Sequence, residues 1–247
     1  MPLREELERQ GDWLFRRRAF LPFLGIPLLA LAFYQFSYPW GSRSLDLILD
    51  IVYLGVSAAG MAVRAYVAGQ TPRGTSGRNT TKGQVAQFLN TTGMYSITRH
   101  PLYLANFLIG LGPVLFFHSW WLVLVYVFLF WVYYERIIFA EEEFLRTKFG
   151  DAYLEWAVRT PAFLPDVRKW RPPHLPFCWR TVLKREYQTL FHLVIVFTAI
   201  EVIEDALVER RIVVEPFWLV IFTLTLIFYL AVRIIRKTTK ILHVQER

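Results

Sequence analysis

Residues 93–134, GMYSITRHPLYLANFLIGLGPVLFFHSWWLVLVYVFLFWVYY, join a polar, aromatic head to a long apolar run. From 102 to 134 there are 33 residues in which the notable polar group is His118. As one helix they extend about 50 Å, against a hydrocarbon core of about 30 Å. Gly112-Pro113 and His118-Ser119 interrupt the run, which predicts two short helices joined by a tight turn. His118 then reads as a turn residue at the interface rather than a ligand. The head of this hairpin gathers Tyr95, Arg99, His100 and Tyr103, and EEEFLRTKFGDAY (141–153) follows its other end. A chain that only needed to sit in a membrane has little reason to gather such groups there.

Outward from the hairpin, the 247 residues are 55% hydrophobic, above the soluble share of about 45–50%. The net charge of +8 sits in clusters beside apolar runs, which is the pattern of cytoplasmic membrane loops and argues against a nucleic-acid partner. The single cysteine, Cys178, excludes an internal disulfide and a thiolate metal cluster, and no metal site is expected.

Residues 1–18 end in Arg16-Arg17-Arg18, and Leu3, Leu7 and Leu14 fall at the spacing of a short interfacial helix. Apolar runs at 19–38, 45–67, 190–208 and 217–235 add four spans to the hairpin's two. Ala30-Leu31-Ala32 has the look of a cleavage site, but the apolar run continues past it and acidic residues precede it. Residues 69–84 read as a loop, 135–160 as polar helix, and 161–176, with five prolines, as extended chain. With six spans, 25 of the Lys and Arg residues face one side and 3 the other, which predicts cytoplasmic termini and puts both motifs on the cytoplasmic face. The expected fold class is all-α: a polytopic integral membrane protein, one membrane domain over 1–247, with about six transmembrane helices.

Arg99 and His100 stand before Pro101, whose fixed φ suits a first helical turn. A helix N-terminus favours an anion, and Arg offers a bidentate fork to carboxylate or phosphate. The plainer alternative is a snorkelling Arg with an interfacial His. Glu141, Glu142 and Glu143 offer carboxylates to a cationic ligand, or simply an acidic face balanced by Arg136, Arg146 and Lys148. Arg78, Asn79 and Lys82, among hydroxyl groups, suit a phosphate or the anionic surface of a bilayer. Glu201, Glu204 and Asp205 share one helix face near the outer interface, where pairing with Arg210 or Arg211 is the simple account.

The pattern Gly-x-Tyr-x-x-x-Arg-His-Pro-x-Tyr, then Glu-Glu-x-x-Leu-x-x-x-Phe-Gly-x-x-Tyr, resembles the isoprenylcysteine carboxyl methyltransferase and phospholipid methyltransferase superfamily over about residues 71–165. The resemblance implies an integral membrane enzyme using S-adenosylmethionine, with a lipid substrate. It assigns Tyr95, His100, Pro101, Tyr103, Glu141, Glu142, Phe149, Gly150 and Tyr153 to the cofactor. It puts Arg99, His100, Tyr103 and Arg159 at the reacting centre, and Arg78, Asn79, Arg99 and Arg159 toward the substrate. Glu142 is the preferred partner for the cofactor's amino group, with Glu143 an exposed extra. The chain departs from the family where Trp156 stands for a second Tyr, where Ala162 stands for a second Arg, and at Ala105-Asn106. The stretch Thr75-Ser76-Gly77-Arg78-Asn79-Thr80, with Asn90-Thr91-Thr92, is similar to bacterial members that methylate a lipid A phosphate, which implies a bacterial inner membrane. Membrane NADPH-dependent sterol reductases carry a similar Arg-His-Pro-x-Tyr element, but with Gly-Asp or Gly-Glu after it and without this Glu-Glu spacing. A non-catalytic transporter is a third class, without support from inverted repeats.

Overall fold

The structure is a computed structural model and describes residues 2–17, 24–72, 74–75, 78–80, 83–212 and 214–244, with the side chains of 78–80 and 83–85 outside that description. Its elements are α1 (Leu3–Arg17), α2 (Ile26–Tyr34), α3 (Arg43–Gln70), β1 (Arg78–Thr80), β2 (Gly83–Val85), α4 (Met94–Ile97), α5 (Pro101–Phe116), α6 (Trp120–Phe149), α7 (Asp151–Arg159), α8 (Trp179–Glu209) and α9 (Pro216–Thr238). The all-α membrane class holds, with one small antiparallel hairpin, β1–β2, inside the expected loop. Three described helices, α3, α6 and α9, are long and apolar enough to cross a membrane, and α5 is a shorter apolar helix. The expected first span, at 19–38, falls partly outside the described residues.

The scaffold of the site is the antiparallel pair α3–α5. A Cβ on Gly60 would meet the Ala105 carbonyl oxygen at 2.6 Å, and one on Gly112 would meet the Tyr53 carbonyl oxygen at 2.6 Å. Small residues therefore let the two backbones touch, the usual device where lipid removes the hydrophobic drive for helix association. Gly112-Pro113 does not break the helix as the sequence reading expected: α5 runs through Pro113 to Phe116. Proline lacks the N–H that would reach back to Ile109. The Ser57 hydroxyl of α3 donates to that carbonyl at 2.8 Å, so the helix continues with its backbone satisfied.

The turn itself falls at 117–119, with His118 in the left-handed region (φ 48°). Phe116, Phe117, Phe197 and Trp218 pack there into the main buried cluster, tying α5 to α8 and α9. The helix after the turn is longer than expected. At 30 residues α6 extends about 45 Å, so it outruns the hydrocarbon core and carries its last turns beyond it. The amphipathic α1 packs antiparallel on those turns. Gly11 sits against Arg136 and Ala140, Arg136 Nε donates to Gln10 Oε1 at 2.9 Å, and Arg4 pairs with Glu143.

The proline-rich segment is extended, as expected, apart from a single turn at Val167–Lys169. It straps the motif in place by backbone hydrogen bonds. Arg99 N–H donates to the Pro161 carbonyl at 2.9 Å, Asp166 N–H to Ile97 at 2.9 Å, and Gly93 N–H to Arg171 at 3.0 Å. The Thr98 hydroxyl donates toward the Ala162 and Phe163 carbonyls at 3.1 and 3.0 Å.

The acidic face of α8 is a correction. Asp205 does not pair with Arg210 or Arg211. Its partners are Arg43 (2.7 Å) and the Tyr38 hydroxyl (2.7 Å), while Arg211 pairs with Glu209.

Candidate active site

Two elements meet to form the site. Pro101 starts α5 and leaves His100 as its N-cap residue in a non-helical conformation. The protruding end of α6 brings Glu141 and Glu142 alongside. His100 Nε2 hydrogen-bonds Glu142 Oε1 at 3.0 Å, and its Nδ1 lies 3.7 Å from Glu141 Oε2. The Tyr103 hydroxyl donates to Glu141 Oε2 at 2.6 Å, and its ring stacks on His100 with centroids 5.4 Å apart. Arg99 Nε approaches Glu142 Oε1 to 3.2 Å, close enough for charge attraction but outside hydrogen-bond geometry.

Tyr153, one turn into α7, is buried beside Glu142. Burial, and then the negative charge of Glu142, hold its phenol protonated well above the ordinary range. Burial does the same for Tyr95. Both phenols are donors at any physiological pH.

The cluster opens onto a cavity of about 880 Å³. Its polar end is lined by Tyr95, Arg99, His100, Tyr103 and Glu141. The remainder is apolar and runs between α2, α5 and α6 through Leu28, Leu29, Val114, Leu122 and Leu129. From Pro101 to Val114 this is about 20 Å along the helix. A polar head and an apolar groove of that length suit a lipid.

The sequence-derived residues separate into groups. Tyr95, Arg99, His100, Pro101, Tyr103 and Glu141 line the cavity, and Glu142 stands behind His100. Phe149 packs with Ala86, Leu145 and Tyr153 in a local core and does not line the cavity. Gly150 is exposed, with φ 54° and ψ −127°, and forms the break between α6 and α7. Arg159 is exposed at the last turn of α7 and does not line the cavity. The side chains of Arg78 and Asn79 lie outside the described residues.

Sequence reasoning missed a second layer. Arg64 of α3 lines the cavity, gives Nη1 to Asn106 Oδ1 at 2.6 Å and pairs with buried Glu186 of α8 at 2.8 Å. Asn106 in turn donates to the Tyr134 hydroxyl at 3.3 Å. The available signal was an arginine near the end of an apolar span, where a charge is costly unless partnered. Trp156, at the position where the family often has Tyr, donates to the Tyr95 carbonyl at 3.0 Å and fixes α7 against α4.

S-adenosylmethionine bears an ammonium, a carboxylate and an adenine, and the donor set fits those groups. Glu141 can accept from an ammonium, and the buried Arg99 Nε and Tyr153 hydroxyl lie beside Glu142. The aromatic rings of Tyr103 and Tyr134, 4.7 Å apart, offer flat faces.

Residues 58–152 match the phospholipid methyltransferase family. Over 136 residues the chain is 33% identical to the cobalt-zinc-cadmium resistance protein CzcN of Cupriavidus metallidurans, covering 53% of this chain and 55% of that protein. It is 37% identical over 98 residues to the nickel-cobalt-cadmium resistance protein NccN of Alcaligenes xylosoxydans xylosoxydans, covering 39% of this chain and 42% of that protein. It is 27% identical over 112 residues to the protein-S-isoprenylcysteine O-methyltransferase of Schizosaccharomyces pombe, covering 45% of this chain and 48% of that protein. The chain thus spans about half the length of the curated relatives it matches. No solved structure matches it significantly. The matched segment runs from the middle of α3 to the start of α7 and contains the whole His100–Glu141–Glu142 cluster, and over that segment the chain is similar to the phospholipid methyltransferase family and to a protein-S-isoprenylcysteine O-methyltransferase.

Proposed function

We propose that this protein transfers a methyl group from S-adenosylmethionine to an anionic oxygen, phosphate or carboxylate, on a membrane lipid. The observation that carries the reading is the continuity of the polar cluster at His100 with the apolar groove between α2, α5 and α6. A lipid can lie in that groove with its head at Arg99 and His100 while a water-soluble cofactor is met at the same place.

When bound, the cofactor supplies a methyl group already activated on a sulfonium, so the chain's task is binding, alignment and exclusion of water. Glu141, at the cavity wall, would accept from the cofactor's ammonium. Glu142 holds His100 through Nε2, and Tyr103 keeps the ring flat beneath it. Arg99 offers its guanidinium to the acceptor oxygen, keeping that oxygen deprotonated and in line with the methyl. Transfer would join the acceptor oxygen to the methyl carbon as the carbon–sulfur bond breaks, its electron pair leaving with sulfur. An anionic acceptor needs no base. The 25-to-3 charge split favours a cytoplasmic position for the cluster, in a bacterial inner membrane with both termini inside.

The test is reconstitution of the full chain in liposomes of bacterial lipid with methyl-labelled S-adenosylmethionine. Saturable cofactor binding and label in the organic phase are expected. Absence of saturable binding by folded protein would exclude the proposal, and binding without lipid labelling would exclude the acceptor class offered.

A further inference from the structure

At the other end of α5, about 25 Å along the helix from His100, a second group of chemistry-bearing side chains plays no part in the site above. Asp46 and Asp50, one turn apart on α3, meet His118 of the α5–α6 turn, with ligand atoms of all three within 4.8 Å of one another. Asp46 is 4% exposed and Asp50 1%. His118 Nε2 lies 2.8 Å from Asp46 Oδ1, while its Nδ1 lies 3.5 Å from the Tyr53 hydroxyl.

Asp50 is the telling residue. Both its carboxylate oxygens are buried, and no N–H or hydroxyl donor among the described residues meets either of them. What faces it from α8 is Glu201, another buried carboxylate with an unpartnered oxygen, and Glu204 beside it has one too. The nearby arginine does not help, because Arg43 is engaged by Asp205, Glu209 and Glu215. Four carboxylates withdrawn from water against one imidazole leave an excess of negative charge. Such a group is tolerated only with a cation or protons among the oxygens. The His118–Asp46 contact accounts for one carboxylate and leaves Asp50 unexplained.

We propose that Asp46, Asp50 and His118, with Glu201 as the adjoining carboxylate, form a binding site for a divalent transition-metal cation of the zinc or cobalt type. One imidazole nitrogen among carboxylate oxygens is a borderline donor set that suits such ions and disfavours sodium, calcium or magnesium, which are held by oxygen alone. A ligand histidine usually hands its other ring nitrogen to an orienting partner, and Tyr53 stands at Nδ1 of His118 in that role. His118 holds a left-handed backbone (φ 48°) at this turn, with its ring against the two aspartates. A bound ion would join α3, the α5–α6 turn and α8 at the end of the bundle opposite the methyl-transfer cluster.

The experiment uses the full chain, purified in detergent on a tag that contains no histidine, stripped with chelator, incubated with zinc ion and gel-filtered. Metal analysis should find about one zinc per chain, and zinc should raise the melting temperature. Asp50→Asn and His118→Gln should each abolish both effects, and Tyr53→Phe should weaken binding by about 10-fold. Cobalt ion in place of zinc should give visible ligand-field absorption that His118→Gln removes. A stripped wild-type chain that retains no zinc overturns the site, as does retention by both variants. If wild type binds none and Asp50→Asn melts higher than wild type in chelator, protons shared between the carboxylates are the explanation instead. Should Asp50→Asn fail to fold, the wild-type stoichiometry and His118→Gln still decide.

Discussion

Ser57 and Pro113 complete one helix between them: the proline withholds the N–H that Ile109 would have received, and the serine hydroxyl from the facing helix supplies a donor at 2.8 Å. The pair couples a local irregularity in α5 to the packing of α3, and α5 is the helix whose N-terminus carries His100.

This coupling is measurable. Ser57→Ala should lower stability by about 0.6–2 kcal/mol, the range for an interhelical hydrogen bond in a membrane protein or a polar group left unmade. In a Pro113→Ala background the Ile109 carbonyl regains its intrahelical donor, and Ser57→Ala should then cost much less. Unfolding in mixed micelles gives the double-mutant cycle. Equal costs in both backgrounds would show that the serine matters only for packing.

Glu141 and Glu142 should separate by kinetic parameter, because one lines the cavity and the other stands behind His100. Glu141→Gln removes a carboxylate facing the ligand and should weaken cofactor affinity about 10- to 150-fold, the worth of a charge-assisted hydrogen bond of about 1.5–3 kcal/mol. Glu142→Gln should chiefly lower turnover by loosening His100. Cofactor titration and single-turnover rates check both, and the opposite pattern would exchange the two roles.

Arg99 tests alignment. Lysine keeps the charge but loses the planar fork. Arg99→Lys should therefore cut turnover by about 100-fold, the scale of a misplacement near 1 Å, with little change in cofactor affinity. Near-normal values for both would leave Arg99 as an anchor at the lipid headgroups.

Gly150 tests a conformational role against a ligand role. No atom lies within 4 Å of where its Cβ would be, so Gly150→Ala adds no clash and isolates backbone strain at φ 54°. A cost of about 1–3 kcal/mol is expected, with Gly55→Ala in α3, equally open to its surroundings, as the control near zero or slightly stabilising. Loss of cofactor affinity at unchanged stability would instead place Gly150 against the ligand.

The class of the fold and the polar ends of its central hairpin were legible in the order of residues alone. Apolar runs longer than a bilayer must be helical, since each backbone group has to find a partner inside its own segment. The spacing of Tyr95, Arg99, His100 and Tyr103 against Glu141 and Glu142 was legible for the same reason, because one hairpin brings its two ends together. What sequence reading got wrong was local: Gly112-Pro113 looked like a break, and only the facing Ser57 explains why the helix runs on. Phe149 and Gly150 belong to the motif, and their surroundings come from the tertiary structure, which packs Phe149 with Leu145 and Tyr153 and sets Gly150 at the break between α6 and α7. Tertiary structure alone decided that Arg64 reaches Glu186 across 122 positions, that Asp205 meets Arg43 rather than Arg210 or Arg211, and that Asp50 faces another carboxylate. Those pairings join different helices, and no periodicity within one helix records which neighbour its buried charges will meet.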